Sequence, residues 1–550
     1  MTRLPRYALL FFAFILALFS CRDKKTEVDS IFFNGIVHTL DSVESIYSAI
    51  AVSDGKVVAV GDSSEIFTNF KANELMDFAG TNIYPGFIDA HCHFYHYGLG
   101  LNELNLKSCS SFEELIEMVI PFADENPDGW IVGRGWDHTK WPDKKFPDNK
   151  KLDSLFPDRP LLLKRIDGHA ALVNSAALEL AGLNANSTIP GGELLTDKDG
   201  LTGLLIDNAV DKVFALVPPP TRKQQVNALL KAQKNCFEVG LTSVVIAGLE
   251  YDIALLIDSL HKTGDLKMRV YAMLNPTPRN YTWALENGQY TTDRIGIRSF
   301  KLYADGSLGS RGALLKEPYC DKPGHFGLPV NHPSTLDSQI NTIQNLGYQV
   351  NTHCIGDSAN HLILSLYGKY LQGSNDKRWR IEHAQVIDPN DFVLFSRYNI
   401  IPSVQPTHAT SDMRWAVDRL CSYRMEGAYS YNTLLSTNGV IALGTDFPVE
   451  GISPIYTFYA AVVRKDHRGG PKTGFRLVEG LSRSDALKGM TTWAAYSCFE
   501  ENKKGTIEVG KLADFIQTSH SLEDTPENEL LNIQVLQTYS GGQSVQMNSK

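Results

Sequence analysis

From Arg222 onward the chain alternates amphipathic stretches with short apolar runs, and this alternation constrains the fold more than any other feature. Arg222–Glu238 carries apolar residues at helical spacing, stops at Gly240 and is followed by the apolar run Leu241–Ala247. Ile253–His261 likewise leads to Gly264 and then to Met268–Leu274. Further strands are predicted at Ile297–Tyr303, Tyr348–His353, Arg380–His383, Ile400–Val404 and Val440–Leu443, with helices at Ser334–Leu346 and Ala359–Tyr370 between them. A helix between successive strands makes parallel βα units. With the run Ile83–Ile88 added, the repeats favour an α/β fold of the (β/α)8 barrel type over residues 85–505. An open doubly wound sheet is the alternative, but no Gly-x-Gly-x-x-Gly follows a strand to support it.

Both ends of the chain read as β. Asp54-Gly55 lies between Ile50–Val52 and Val57–Val60, a hairpin signal because the tight turn needs positive φ. Ile533–Tyr539 and Val545 flank Ser540-Gly541-Gly542 in the same manner. A small β-sandwich is therefore expected from 31–84 and 506–550. An insertion at about 101–220 interrupts the barrel and carries Gly135-Trp136-Asp137-His138, Trp141-Pro142 and Asp167-Gly168-His169. Trp136 and Trp141 belong either to a substrate lid or to the insertion's own core.

The first residues differ from the rest. Arg3 and Arg6 precede the apolar stretch Ala8–Phe19, which is too short to span a bilayer and fits the apolar region of a secretory signal. Leu18-Phe19-Ser20-Cys21 resembles the lipobox of bacterial lipoproteins, which implies removal of residues 1–20 and lipidation of Cys21. Residues 21–30 would then be a tether, and the protein would be exported and held in the cell envelope, facing the periplasm or on the outer membrane. The remaining cysteines are odd in number and scattered, with no Cys-x-x-Cys pair, so there is no disulfide framework or thiolate zinc site and most are expected to be small core residues. A net charge of −10, with no basic run and no phosphate-cradling loop, argues against nucleic acid as a partner.

Functional side chains of such barrels lie where the strands end. Those ends hold His91 and His93, Lys301, His353, His383 and Asp446. His91 and His93 are two residues apart, so an extended strand aims both imidazoles to one side. Imidazole is the commonest metal ligand, and this ordered set points to a metal site more strongly than to packing.

The ordered set resembles the amidohydrolase superfamily, and local stretches narrow the resemblance to its YtcJ-like branch, which includes N-substituted formamide deformylases. The matching stretches are Pro85–His93, Gly135–Trp141, Asp167–Asn174, Lys301–Gly309, His353–Asp357, Arg380–Gln385, Ser403–Pro406 with His408, Gly444–Asp446 and Gly505–Asp514. The resemblance implies one or two divalent ions, Zn²⁺ by preference. His91, His93 and Asp446 would hold the first, and His353 and His383 would either hold a second or, with one ion, serve partly as ligand and partly as substrate contact. A protonated lysine cannot bind a cation. The resemblance accordingly implies that Lys301 carries a carbamate bridging two metals, with a simple salt bridge to Asp305 as the alternative.

Asp446 and His383 are the expected catalytic residues, and His169, Trp136, His138, Arg311, Gln405 and His408 the expected substrate contacts. The leading function is hydrolysis of an amide or other non-peptide C–N bond by metal-activated water. Ester or lactone hydrolysis on the same site and a non-catalytic solute-binding lipoprotein are the alternatives. The expected partners are a small-molecule substrate, the membrane through Cys21 and, with oligomeric state open, a second copy in a homodimer.

Overall fold

The computed structural model describes residues 25–546 with Ser374 excepted, so the signal segment and Cys21 lie outside the described residues. Eight parallel strands make the barrel: β1 (Phe87–Cys92), β2 (Leu241–Leu249), β3 (Arg269–Leu274), β4 (Ile295–Tyr303), β5 (Gln349–Cys354), β6 (Arg380–His383), β7 (Ile401–Val404) and β8 (Ala442–Leu443). Each neighbouring pair from β1 to β8 is hydrogen-bonded in sequence order. The ring is completed beyond β8, where Asp446 N donates to His91 O (2.8 Å) and His93 N to Phe447 O (2.8 Å). The helices begin and end as the sequence dictates. Thr221 and Gln224 form a capping box at the start of Arg222–Glu238, and Gly264, at φ 80°, ends Tyr251–Thr263.

The run Ile83–Ile88 is not one strand. Asn82–Pro85 pairs with Phe515–Thr518 in a terminal sheet, and the chain then enters β1 past Gly86. A Cβ at Gly86 would lie 2.3 Å from Thr242, so only glycine lets the chain change sheets there. Two terminal sheets pack face to face around Phe32, Val52, Phe515 and Tyr539. The Phe32 ring lies 5.0 Å from Phe515 and 5.2 Å from Tyr539, joining the two ends of the chain. The first strand starts at Thr26, with Val28 and Ser30 buried against the parallel strand Phe70–Asp77, so the second half of the expected tether is sheet.

The insertion folds on itself as a six-stranded sheet, with Leu104–Asn105, Ile131–Trp136, Leu161–Arg165 and Ala170–Val173 among its strands. Trp136 and Trp141 pack in its core with Leu115 and Leu163, which decides between the two roles the sequence left open. The expected core role holds for five of the seven cysteines and not for the other two. Cys320 and Cys421 form a disulfide across a separation of 101 residues, whereas Cys92, Cys109, Cys236, Cys354 and Cys498 are free and buried. No local spacing could reveal a pair brought together by the loop after β4 and the helix Ala416–Arg424.

The barrel floor is tied to the terminal sheets by a buried ion pair. Asp514 accepts from Arg269 Nε (2.5 Å) and Nη2 (2.9 Å) and from Gly541 N (2.8 Å). Burial opposes ionisation of Asp514, but Arg269 outweighs it and holds the carboxyl below its ordinary value. Asp514→Ala leaves Arg269 buried without a counter-ion and should cost about 3–5 kcal/mol in urea unfolding. Because the folded pKa is depressed, the pair's contribution is present above the unfolded carboxyl value near 4 and is lost as pH falls through the folded one. The variant should therefore lose less stability than the parent on acidification. Equal acid sensitivity of the two proteins would refute this account.

Candidate metal centre

The strand ends converge as the period-2 alternation of β4 and β5 demands. Lys301 and Tyr303 on β4, and Asn351 and His353 on β5, point into the barrel in register with one another. On β6 the inward positions belong to Arg380 and Glu382, so simple alternation would aim His383 outward. The backbone prevents that by entering the left-handed region at His383 (φ 74°) and Ala384 (φ 42°). Asp446 is also left-handed (φ 60°), which re-aims its carboxylate over β1. Both strained residues lie at the centre.

One donor atom each from His91, His383 and Asp446 falls within 4.8 Å of the others. His91 Nε2 lies 3.6 Å from Asp446 Oδ1, and His93 Nε2 3.1 Å from the same oxygen. Lys301 Nζ sits 3.4 Å from His91 Nε2, and the His353 and His383 rings are 4.5 Å apart. All the expected ligands thus meet at one end of the barrel. The tightest group pairs His91 with His383 rather than with His93, which stands at the edge of the cavity.

Neighbouring groups fix which ring nitrogens are free. His91 Nδ1 is bonded to Glu382 Oε2 (2.5 Å), and His383 Nδ1 to Gln405 Oε1 (2.7 Å). Each acceptor requires a proton on Nδ1, which leaves the lone pair on Nε2. Glu382 is held in turn by Arg380 (Nε–Oε1, 2.7 Å), and Arg380 Nη2 also reaches Ala90 O and Ser403 Oγ. Burial opposes ionisation of Glu382, but Arg380 and His91 outweigh it and keep its carboxyl far below the usual range. The sequence reading missed Glu382. Its signal was an arginine and a glutamate two residues apart on an otherwise apolar strand.

Burial, then the charge of Lys301, brings His91 down to about 4, and burial takes His353 and His383 well below the ordinary imidazole value. All three imidazoles are neutral at pH 7. Burial opposes a charge on Asp446 as well, but the imidazoles of His408 and His93 outweigh it and leave an ionised carboxylate. Buried Asp446 Oδ1 and His353 Nε2 have no hydrogen-bond partner among the described residues. Neutral imidazoles converging on an ionised carboxylate fit a divalent cation with nitrogen and oxygen ligands.

Lys301 is fully buried, and burial lowers its pKa to about 8. No carboxylate of the described residues lies within 4.0 Å of its Nζ. Asp305 is committed elsewhere, to the backbone N–H groups of Leu314, Ile355 and Gly356, so the expected alternative of a Lys301–Asp305 salt bridge is not formed.

The centre opens into a cavity of about 1450 Å³ between the barrel and the insertion. His169 and His408 line it. His169 is bonded to Asp207 (2.6 Å), which outweighs burial and raises its pKa to about 9. His408 bridges Asp446 Oδ2 (3.3 Å) and Glu450 Oε1 (3.1 Å). Gln405 stands behind His383. The other expected substrate contacts lie away from the cavity: Trp136 donates to Leu163 O in the insertion core, His138 accepts from Arg165 Nε, and Arg311 is paired with Asp321 in a neighbouring pocket. Aromatic and charged residues beside a motif carry no sign of which way their strand faces, so these could not be separated by sequence.

A family model described as the amidohydrolase family matches residues 74–546. The chain belongs to the amidohydrolase family. This amidohydrolase is 31% identical to YtcJ of Bacillus subtilis, over 94% of this chain and 99% of that protein. It is 24% identical to the N-substituted formamide deformylase of Arthrobacter pascens, over 94% and 97% of the two chains. Among solved structures, a metal-dependent hydrolase from Pyrococcus horikoshii superposes with a TM-score of 0.74 at 26% identity, covering 91% of the amidohydrolase and 99% of its own chain.

Gln405→Ala removes the acceptor that fixes the His383 tautomer while leaving every ligand in place. Metal affinity should fall about 10- to 100-fold, read by competition with a chelating dye. An unchanged affinity would show that Gln405 does not orient His383.

Proposed function

We propose that this amidohydrolase cleaves an amide or another non-peptide C–N bond of a small molecule, with Zn²⁺ as the resident ion. The observation that carries the reading is the convergence of one buried donor atom each from His91, His383 and Asp446 within 4.8 Å of one another. The likeness to the Arthrobacter formamide deformylase along nearly the whole chain supports a C–N substrate. His91, His383 and Asp446 would hold the ion, with His93 and His353 beside them. A divalent ion there supplies Lewis acidity, which polarises a carbonyl and makes a neighbouring water more acidic.

The chain's own groups account for the proton movements. Asp446, ionised and next to the ligand imidazoles, takes the proton of the attacking water and returns it to the departing nitrogen. His408, held by Glu450, keeps the second oxygen of Asp446 in place through that cycle. His169, fixed by Asp207, stands with its ring 5.3 Å from that of His353 and orients the substrate on the cavity side. The buried amine of Lys301, hydrogen-bonded to His91 Nε2 (3.4 Å) and with no salt bridge among the described residues, supports its conversion to a carbamate that with His353 would hold a second ion.

Zinc-reconstituted protein should hydrolyse members of an amide and N-formyl panel, and a chelator should abolish turnover. His383→Ala and Asp446→Ala should both lose metal, while Asp446→Asn, which keeps an oxygen donor but cannot take up a proton, should lower kcat by about 10²–10⁴. Turnover confined to matched esters would transfer the site to ester chemistry. Tight ligand binding with no turnover on either panel would make it a binding protein.

The proposal extends to export and a lipid anchor at Cys21. It is supported by the apolar run Ala8–Phe19 ahead of that cysteine and by the Cys320–Cys421 disulfide, a bond suited to an oxidising compartment. Radiolabelled palmitate should enter the full chain, and Cys21→Ser should abolish the label. Labelling that survives the substitution would rule the anchor out.

A further inference from the structure

Some of the cations lining the cavity are neutralised within the protein. Arg165 is clamped by Asp137 (2.6 Å) and Asp167 (2.5 Å), Arg414 is paired with Asp466, and Lys465 with Glu527. Lys144, Lys301 and Arg468 also line it without a carboxylate partner among the described residues, but two other cations of the insertion stand out because adjacent strands bring them together. Arg134 lies on the strand Ile131–Trp136, and Lys107 follows the adjacent strand Leu104–Asn105. Neither has a carboxylate of the described residues within 4.0 Å. Their hydrogen bonds go to backbone carbonyls, Arg134 Nη2 to Ile166 O (3.0 Å) and Lys107 Nζ to Pro448 O (2.6 Å). Arg134 Nε is buried with no partner.

Both side chains line the cavity, and the backbone holds them together there. Leu106 N donates to Arg134 O (2.8 Å), and a Cβ at Gly135 would come within 2.7 Å of Lys107 Cγ. Arg134 lines the same cavity as Asp446 and has no carboxylate of the described residues within salt-bridge distance. A metal ion held by Asp446 would leave still less negative charge to offset the guanidinium. Arginine cannot shed its proton, and a desolvated cation without a partner is unfavourable. A substrate that brings its own anion would remove that cost. The planar guanidinium fork matches the two oxygens of a carboxylate, and a lysine adds a point charge beside it.

We propose that Arg134 and Lys107 form a carboxylate-binding subsite, so that the substrates are N-acyl compounds bearing a carboxylate, of the N-acyl amino acid class. The assignment of a scissile N-acyl bond rests on the hydrolase reading above, whereas the subsite stands on the two unpaired cations.

The test compares the zinc-loaded full chain on a set of N-acetyl amino acids and on the matching N-acetyl amines, which lack only the carboxylate. Each charge-assisted contact should contribute about 10-fold or more, so the ratio of kcat/KM between the two sets should reach about 100. Arg134→Gln and Lys107→Gln should each lower that ratio about 10-fold. Lys107 is exposed to the cavity and bonded only to Pro448 O, so its variant serves if Arg134→Gln does not fold. Calorimetry with 3-phenylpropionate and 3-phenylpropan-1-ol reads binding without turnover. The acid should bind more tightly, and both variants should remove that preference. Turnover with a ratio near 1, or a ratio that neither variant moves, would overturn the subsite and leave the hydrolase reading standing. Variant-sensitive binding of the acid without turnover would overturn the hydrolase reading and leave the subsite. Neither turnover nor preference for the acid would overturn both.

Discussion

Closure of the barrel between β1 and β8 is the contact on which the centre depends. Asp89 accepts from Thr445 N (3.1 Å), Thr445 Oγ1 (2.7 Å) and His91 N (3.1 Å), locking the end of the first strand to the turn after the last. A Cβ at Gly444 would lie 2.5 Å from His91 N, so the approach requires glycine. Burial raises Asp89 to about 7 in spite of those donors, a measure of how little solvent reaches the seam. Residues His91 and Asp446 come from opposite ends of the barrel sequence. Only this seam puts an imidazole and a carboxylate within one ion's reach.

Inside the seam, a chain of charge sets the chemistry. Arg380 neutralises Glu382, Glu382 fixes the proton of His91, and His91 offers its remaining lone pair to the centre. A buried ion pair of this kind does little for stability by itself, because desolvation offsets the attraction. Its value here is orientation, since an unanchored imidazole could present either nitrogen. The left-handed backbone at His383 and Asp446 serves the same end. It spends conformational energy, of order 1–3 kcal/mol for each such residue, to turn ligands inward from positions that strand geometry alone would waste.

Much of this was legible in the sequence. The barrel strands and the helices between them follow from apolar period, glycine stops and caps, all of which are local. The converging side chains were legible because each lies at or near a strand end, and strand ends of this fold share one face. Glu382 was not, because a charged residue in a buried strand announces itself only through its partner, and Arg380 and His91 become partners only when the barrel closes. The disulfide was hidden for the same reason. Trp136, His138 and Arg311 sit next to motif residues in sequence, yet the insertion's own sheet turns them into its core, into an arginine's contact and into a neighbouring pocket.

By itself, then, the sequence determined the βα alternation, the pairing of both chain ends in a small β unit, and the inventory of imidazoles, lysine and carboxylate able to hold a metal. These are short-range properties, set by side-chain period and by the chemistry of each residue. The tertiary structure decided which nitrogen of each histidine is free, which three groups stand closest, and which cations of the cavity remain without a counter-charge. Those depend on distances between residues hundreds of positions apart, and such distances exist only after the barrel has closed and water has been excluded from its end.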